Sequence, residues 1–156
     1  MEAQKYVLNA PFFHLGLHVR AIMNSQSLFK NYTATLLNTT EFAPIPDVMT
    51  FFLAEYRAPQ HAGVGANGIF TVFKKFDLRL DAYLYQPFKQ LVKFDDGTFG
   101  YSKIFKGETS LYSLSFIYHS PIGPLRATAN YFPKQETKVW FQVSYGFALF
   151  NERAIR

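Results

Sequence analysis

Residues Phe76-Asp-Leu-Arg-Leu-Asp-Ala-Tyr-Leu84 decide the fold. Phe76, Leu78, Leu80, Ala82 and Leu84 alternate with Asp77, Arg79, Asp81 and Tyr83. A period of two sends these sets to opposite faces of a strand, whereas helical spacing would mix them. The same alternation holds on either side. Phe13, Leu15, Leu17, Val19, Ala21 and Met23 oppose His14, Gly16, His18 and Arg20. Leu125, Ala127, Ala129 and Tyr131 oppose Arg126, Thr128 and Asn130. Val139, Phe141, Val143, Tyr145, Phe147 and Leu149 oppose Trp140, Gln142, Ser144, Gly146 and Ala148. Weaker strands are expected at 31–38 and 108–119, and another at about 62–73 that turns through Lys74-Lys75. Seven strands result.

Composition narrows the class. The chain has 156 residues, of which 49% are hydrophobic and 19% aromatic, so disorder is excluded. It has no cysteine, which removes disulfide scaffolds, zinc ribbons and thiol nucleophiles together. A net charge of +5, spread along the chain, gives no basic run suited to nucleic acid. No uncharged apolar window reaches the ~20 residues of a membrane helix, and the first residues lack the apolar core of a signal peptide. What remains is a soluble β protein or a membrane barrel, whose signal is alternation itself.

The faces favour the barrel. The second face carries Gly16, Thr128, Asn130, Gln142, Ser144, Gly146 and Ala148, residues that suit a wet or plugged lumen better than a surface that must keep a protein dissolved. Aromatics gather near strand ends, as an interfacial girdle requires. Tight turns are expected at 24–27, 74–75 and 120–123, against longer loops at 39–59, 88–107 and 133–138. Short turns on one side and long loops on the other is an outer-membrane pattern.

The hairpin motif Ser120, Pro121, Ile122, Gly123, Pro124, Leu125 and Arg126, followed by Phe141-Gln-Val-Ser-Tyr-Gly146, resembles the last hairpins of BamA/TamA-type (surface antigen) barrels. With Asn31-Tyr-Thr-Ala-Thr-Leu-Leu37, Glu55-Tyr-Arg-Ala58 and Phe76–Phe88, the chain is similar over about 11–156 to the C-terminal barrel of Bacteroidetes-type patatin-like phospholipases. The resemblance implies an antiparallel up-and-down transmembrane barrel segment of about seven strands, with residues 1–10 as a lead-in or truncated end. It implies a bacterial outer-membrane location, and a role in anchoring, displaying or translocating an N-terminal patatin-like hydrolase domain that this chain lacks. No Gly-x-Ser-x-Gly elbow is present, so no catalytic residue, metal or cofactor is expected. The implied partners are outer-membrane lipid, the missing strands or passenger domain, and the assembly machinery. That machinery would read the terminal strand through Phe141, Val143, Tyr145, Gly146, Phe147, Leu149 and Phe150.

Closure tests strand number. Seven alternating strands leave the first and last parallel, so either strands are missing or an eighth exists. Residues 48–58 are the only candidate, but Phe51, Phe52, Leu53 and Ala54 are apolar on both faces. The segment reads better as part of a loop, at about 39–60, folded into the lumen. A closed eight-strand structural or adhesion barrel is the alternative, and a soluble β-sandwich binding module ranks below it.

In the related barrels an inward loop carries an arginine that meets a wall aspartate. By that resemblance Arg57 would pair with Asp81, with Glu55 and Arg79 beside them. Gly63-Val-Gly-Ala-Asn-Gly68 fits G-x-G-x-x-G, but Ile69–Phe73 behind it has no helical period, so a dinucleotide site is not expected. Glycine there suits a wall strand against which a loop lies closely. His14 and His18 share a strand face roughly 13 Å apart, too far to chelate one ion. Asp77 and Asp81, with Arg79 between them, read as an ion ladder, and Asp95-Asp96-Gly97 as a loop tip.

Overall fold

The computed structural model describes residues 2–25, 27–94 and 98–146. The strands are β1 (Glu2–Ala10), β2 (Phe13–Met23), β3 (Gln60–Phe73), β4 (Phe76–Lys89), β5 (Leu91–Lys93), β6 (Phe99–Tyr101), β7 (Thr109–Ser120), β8 (Gly123–Tyr131) and β9 (Val139–Tyr145). One helix, α1, covers Tyr32–Leu37. Seven strands form one antiparallel sheet in the order β1-β2-β3-β4-β7-β8-β9, and β5 and β6 form a separate small hairpin. Neighbours in the large sheet are neighbours in sequence apart from that hairpin, which is up-and-down topology. Among the described residues the sheet is open: β1 and β9 each pair on one side only, and they run in the same direction.

Tight connections lie at one end of the sheet, at Pro11-Phe12, Lys74-Lys75 and Pro121-Ile122. The β7–β8 turn closes on the Ser120↔Gly123 pair, and Gly123 has φ +140°, a conformation open only to glycine at low cost. Long connections leave from the other end. The longest, 24–59, starts and finishes at one point, where the Asn24 amide donates to the Pro59 carbonyl at 3.1 Å.

Three expectations need correction. Residues 31–38 are not a strand, because β2 already pairs with β1 and β3 and offers no free edge. They form α1 instead, where the Asn31 side chain caps the Ala34 amide at 3.2 Å. Residues 2–10 are not a lead-in but a paired strand. A register shift between Tyr6 and Leu8 breaks the alternation that would have revealed it. Asn24–Ser27 is the mouth of the long loop rather than a hairpin turn. Residues 48–58 are loop rather than an eighth strand, with 3-10 turns at Pro46–Thr50 and Ala54–Tyr56. The hairpin motif runs from turn into strand, as expected. Only Pro121 and Ile122 lie in the turn, while Gly123, Pro124, Leu125 and Arg126 already belong to β8.

Pro124 is tolerated there because of its place in the ladder. It sits opposite His119, and its carbonyl accepts the Gly146 amide at 3.1 Å. The register of β8 with β9 starts one residue later, at Leu125↔Tyr145. The missing N–H of Pro124 therefore falls at the end of that pairing rather than inside it.

The 39–60 segment packs against one face of the sheet. Phe42, Ile45, Val48, Leu53, Tyr56 and Ala58 pack on Tyr83, Tyr85, Leu111 and Phe132 of the wall, and this is the hydrophobic core. The alternating apolar residues are therefore not the core. They face away from it, with Leu84 and Phe116 each 60% exposed and Phe141 81%. The buried side of the wall is the polar one, carrying Asn67, Asp81, Ser113, Ser115, Thr128 and Asn130.

Candidate functional site: the inward loop and the wall it covers

The site is the buried face of the sheet together with the loop that packs on it. Cross-strand register assembles its polar part: Gly16, Asn67, Asp81, Ser113, Asn130 and Trp140 lie side by side on successive strands. Asn67 and Asn130 are fully buried, and their amides have no hydrogen-bond partner among the described residues. In the next row Ser115 and Thr128 share a hydrogen bond of 3.1 Å.

Glycine makes room for the loop. The loop's Phe42 lies directly over Gly63, where a β-carbon would overlap its ring. Tyr83 covers Gly65 in the same way. Phe42 also stacks on Tyr85 at a centroid distance of 5.2 Å. The pattern Gly63–Gly68 thus serves close approach by a side chain, as its strand context predicts. Farther along, Phe51 packs on Trp140 at 5.2 Å and on Phe132 at 6.1 Å.

Polar contacts fix the loop at separate points. Asp47 pairs with Arg126 of β8, both largely buried. The Tyr56 hydroxyl donates to the Ser110 carbonyl of β7 at 2.6 Å. Burial pushes this phenol up to about 12, so it remains a donor at physiological pH. Gln135 donates to the Glu55 carboxylate at 2.6 Å, and Thr50 donates to Gln142 of β9 at 3.4 Å. At the loop base, Arg57 donates to Glu41 at 2.6 Å beside a backbone bridge between the same residues. The Arg57 guanidinium also lies 5.1 Å over the Phe52 ring.

The structure does not bring Arg57 to Asp81. Asp81 instead accepts a two-point bond from Arg79 on its own strand, at 2.8 and 2.9 Å, and a third from Tyr83 at 3.2 Å. A carboxylate so occupied has little left for the loop. Arg57 is claimed by Glu41, which the bridge holds opposite it. Contact between loop and wall passes to Asp47 and Arg126. Arg126 ends the Ser120–Arg126 motif, so that hairpin supplies a turn at Pro121-Ile122, a strand start at Gly123-Pro124 and a wall anchor. Sequence reasoning missed Asp47, Glu41 and Phe42. The one available signal was the confinement of charge in 39–60 to Glu41, Asp47, Glu55 and Arg57.

The remaining candidates are apart. His14 contacts Asn9, while His18 meets Glu2 at 3.0 Å. Asp77 pairs with His119 at 2.7 Å rather than within a ladder. Phe141, Val143 and Tyr145 lie exposed on edge strand β9 and Gly146 follows it. Phe147, Leu149, Phe150 and the Asp95-Asp96-Gly97 tip lie outside the described residues. No family model matches the chain, and no curated protein or solved structure is significantly similar to it.

Proposed function

We propose that this chain is a wall segment of a bacterial outer-membrane β-barrel, with an inward loop as its plug. In this reading it anchors a passenger, which the sequence resemblance identifies as a patatin-like hydrolase domain, and performs no catalysis itself. The observation that carries the reading is the inverted polarity of the sheet. Water would expose the polar face and bury the apolar one; here Leu17, Val64, Leu80, Leu84, Phe116 and Val143 are exposed while Asn67, Ser113 and Asn130 are buried. Contiguous apolar surface on this scale needs an apolar surrounding. From Phe76 to Leu84 the band runs about 27 Å along β4 at roughly 3.4 Å per residue. At a strand tilt of roughly 40° that is about 20 Å of depth, close to the apolar height of outer-membrane barrels.

The open edges belong to the same reading. Each unpaired backbone group in lipid costs several kcal/mol, so β1 and β9 need neighbours. Because they run in the same direction, an antiparallel closure takes an odd number of further strands. A second copy in the same membrane orientation would meet them only through parallel seams. A second copy therefore does not complete the antiparallel ladder, and the seven strands call for others beside them.

The absence of cysteine makes a direct test simple, since each introduced cysteine carries the only label. Spin labels are placed along β4 at Leu78, Leu80, Ala82 and Leu84 in the detergent-folded chain. They should collide with dissolved oxygen and be shielded from a water-soluble nickel chelate. Free nickel access at all four would refute a lipid-facing wall.

A further inference from the structure

The tight-turn end of the sheet combines charge with an apolar cleft. Phe73 and Phe76 are joined by Lys74-Lys75, both exposed, and among the described residues neither lysine is in an ion pair. Asp77, the acid nearest in sequence, is occupied by His119. Below the turn a cleft of about 250 Å³ opens between Val72, Phe73, Phe76, Asp77, Leu78 and Phe116. Alternation turns Asp77 to the other face, so the cleft presents hydrocarbon. Its walls are fixed by ring contacts: Phe73 meets Phe76 edge-on at 6.4 Å, and Phe76 stacks on Tyr118 at 4.7 Å.

We propose that this corner binds an anionic glycerophospholipid, its phosphate at Lys74 and Lys75 and part of one acyl chain in the cleft. The inference rests on the outer-membrane reading and deepens it by naming the lipid class. Two adjacent ammonium groups without counter-ions complement a headgroup of net negative charge and discriminate against a zwitterionic one. The cleft is smaller than the roughly 300–1,000 Å³ of sites for compact small molecules, so it suits a stretch of chain. Its place at the aromatic rim puts the lysines at headgroup depth.

The test uses the 156-residue chain folded in nonionic micelles doped with spin-labelled phosphatidylglycerol or phosphatidylcholine. Phosphatidylglycerol should be the more immobilised, with a preference of roughly five-fold for each lysine engaged. Lys74→Gln with Lys75→Gln should bring the two lipids to parity, whereas Lys106→Gln, in the long loop after β6, should leave the preference intact. Equal immobilisation of both lipids by the unaltered chain, or a preference that survives the double substitution, overturns the lipid site while leaving the membrane reading in place. Displacement by inorganic phosphate would also overturn it, by reducing the site to a free-anion contact. If neither lipid is immobilised, the membrane reading fails and the site with it.

Discussion

Leu80 lies at the middle of the exposed band, four residues from Phe76 and four from Leu84. That is about 14 Å along the strand, or roughly 10 Å of depth from either rim at outer-membrane tilt. Leu80→Arg should therefore destabilise the lipid-embedded chain by about 2–4 kcal/mol, falling to about 0–1 kcal/mol for Phe76→Arg at the rim. Leu80 is already 45% exposed, so its lost packing is worth only about 1 kcal/mol. Leu80→Gln measures that part, and the difference between the two variants isolates the charge. Trp140, the single tryptophan, packs against Phe51 of the loop and gives a fluorescence signal for unfolding in denaturant. The full series is Arg at 76, 78, 80, 82 and 84, each against Gln at the same position. A cost that peaks at 80 and falls toward both ends marks a bilayer midplane. In water the same exposed positions would vary by only about ±0.5 kcal/mol. A flat profile would refute the argument from inverted polarity, whatever the fold.

Other predictions concern the loop. Gly63→Ala forces the new methyl into the Phe42 ring and should cost about 1–3 kcal/mol of loop closure. Tryptic cleavage after the half-buried Arg57 should then speed by about 5- to 150-fold relative to cleavage after exposed Lys30, and Phe42→Leu should cancel part of the effect rather than add to it. Exchanging charges as Glu41→Arg with Arg57→Glu should restore the loop base, while Arg57→Asp with Asp81→Arg should not; rescue by the second pair alone would mean that Arg57 answers to the wall. Removing one partner of Asp47–Arg126 should cost about 3 kcal/mol of the same closure, and Asp47→Leu with Arg126→Met should recover most of it.

Burial raises the Glu41 carboxyl above its ordinary value, against the opposing pull of Arg57 and Arg20. A group whose folded value lies above its unfolded one holds more protons when folded, so its contribution is full below the ordinary carboxylate value of 4.5 and is lost as pH rises through the raised value. Loop closure should thus weaken with rising pH in that window, and Glu41→Gln should flatten the profile. Hydrogen exchange at Ala58, whose amide is bonded to Thr40, measures it, and the same slope in both proteins would reject the assignment.

The sequence by itself determined the strands whose alternation is strict and the two tight turns at 74–75 and 120–123. Period two is a local property, and at β2, β4, β8 and β9 no competing pattern disturbs it. It also marked 48–58 as loop rather than strand, because a segment apolar on both sides has no place in a sheet with one polar and one apolar face. Partnership was decided only by the tertiary structure. β1 is hidden in sequence by its register shift, and α1 resembles a strand until β2 is seen to have both edges occupied. Pro124 falls between the expected turn at 120–123 and the strand from Leu125, and the β8–β9 pairing that starts just after it is what admits it to β8. The anchors of the loop depend on which charges meet after the chain has folded back across the sheet. Arg79, two residues from Asp81 on the same strand, reaches it at no cost in loop closure and takes it first. The loop is left to find Arg126, 79 residues from Asp47 in sequence, and only the stacking of strands brings the two together.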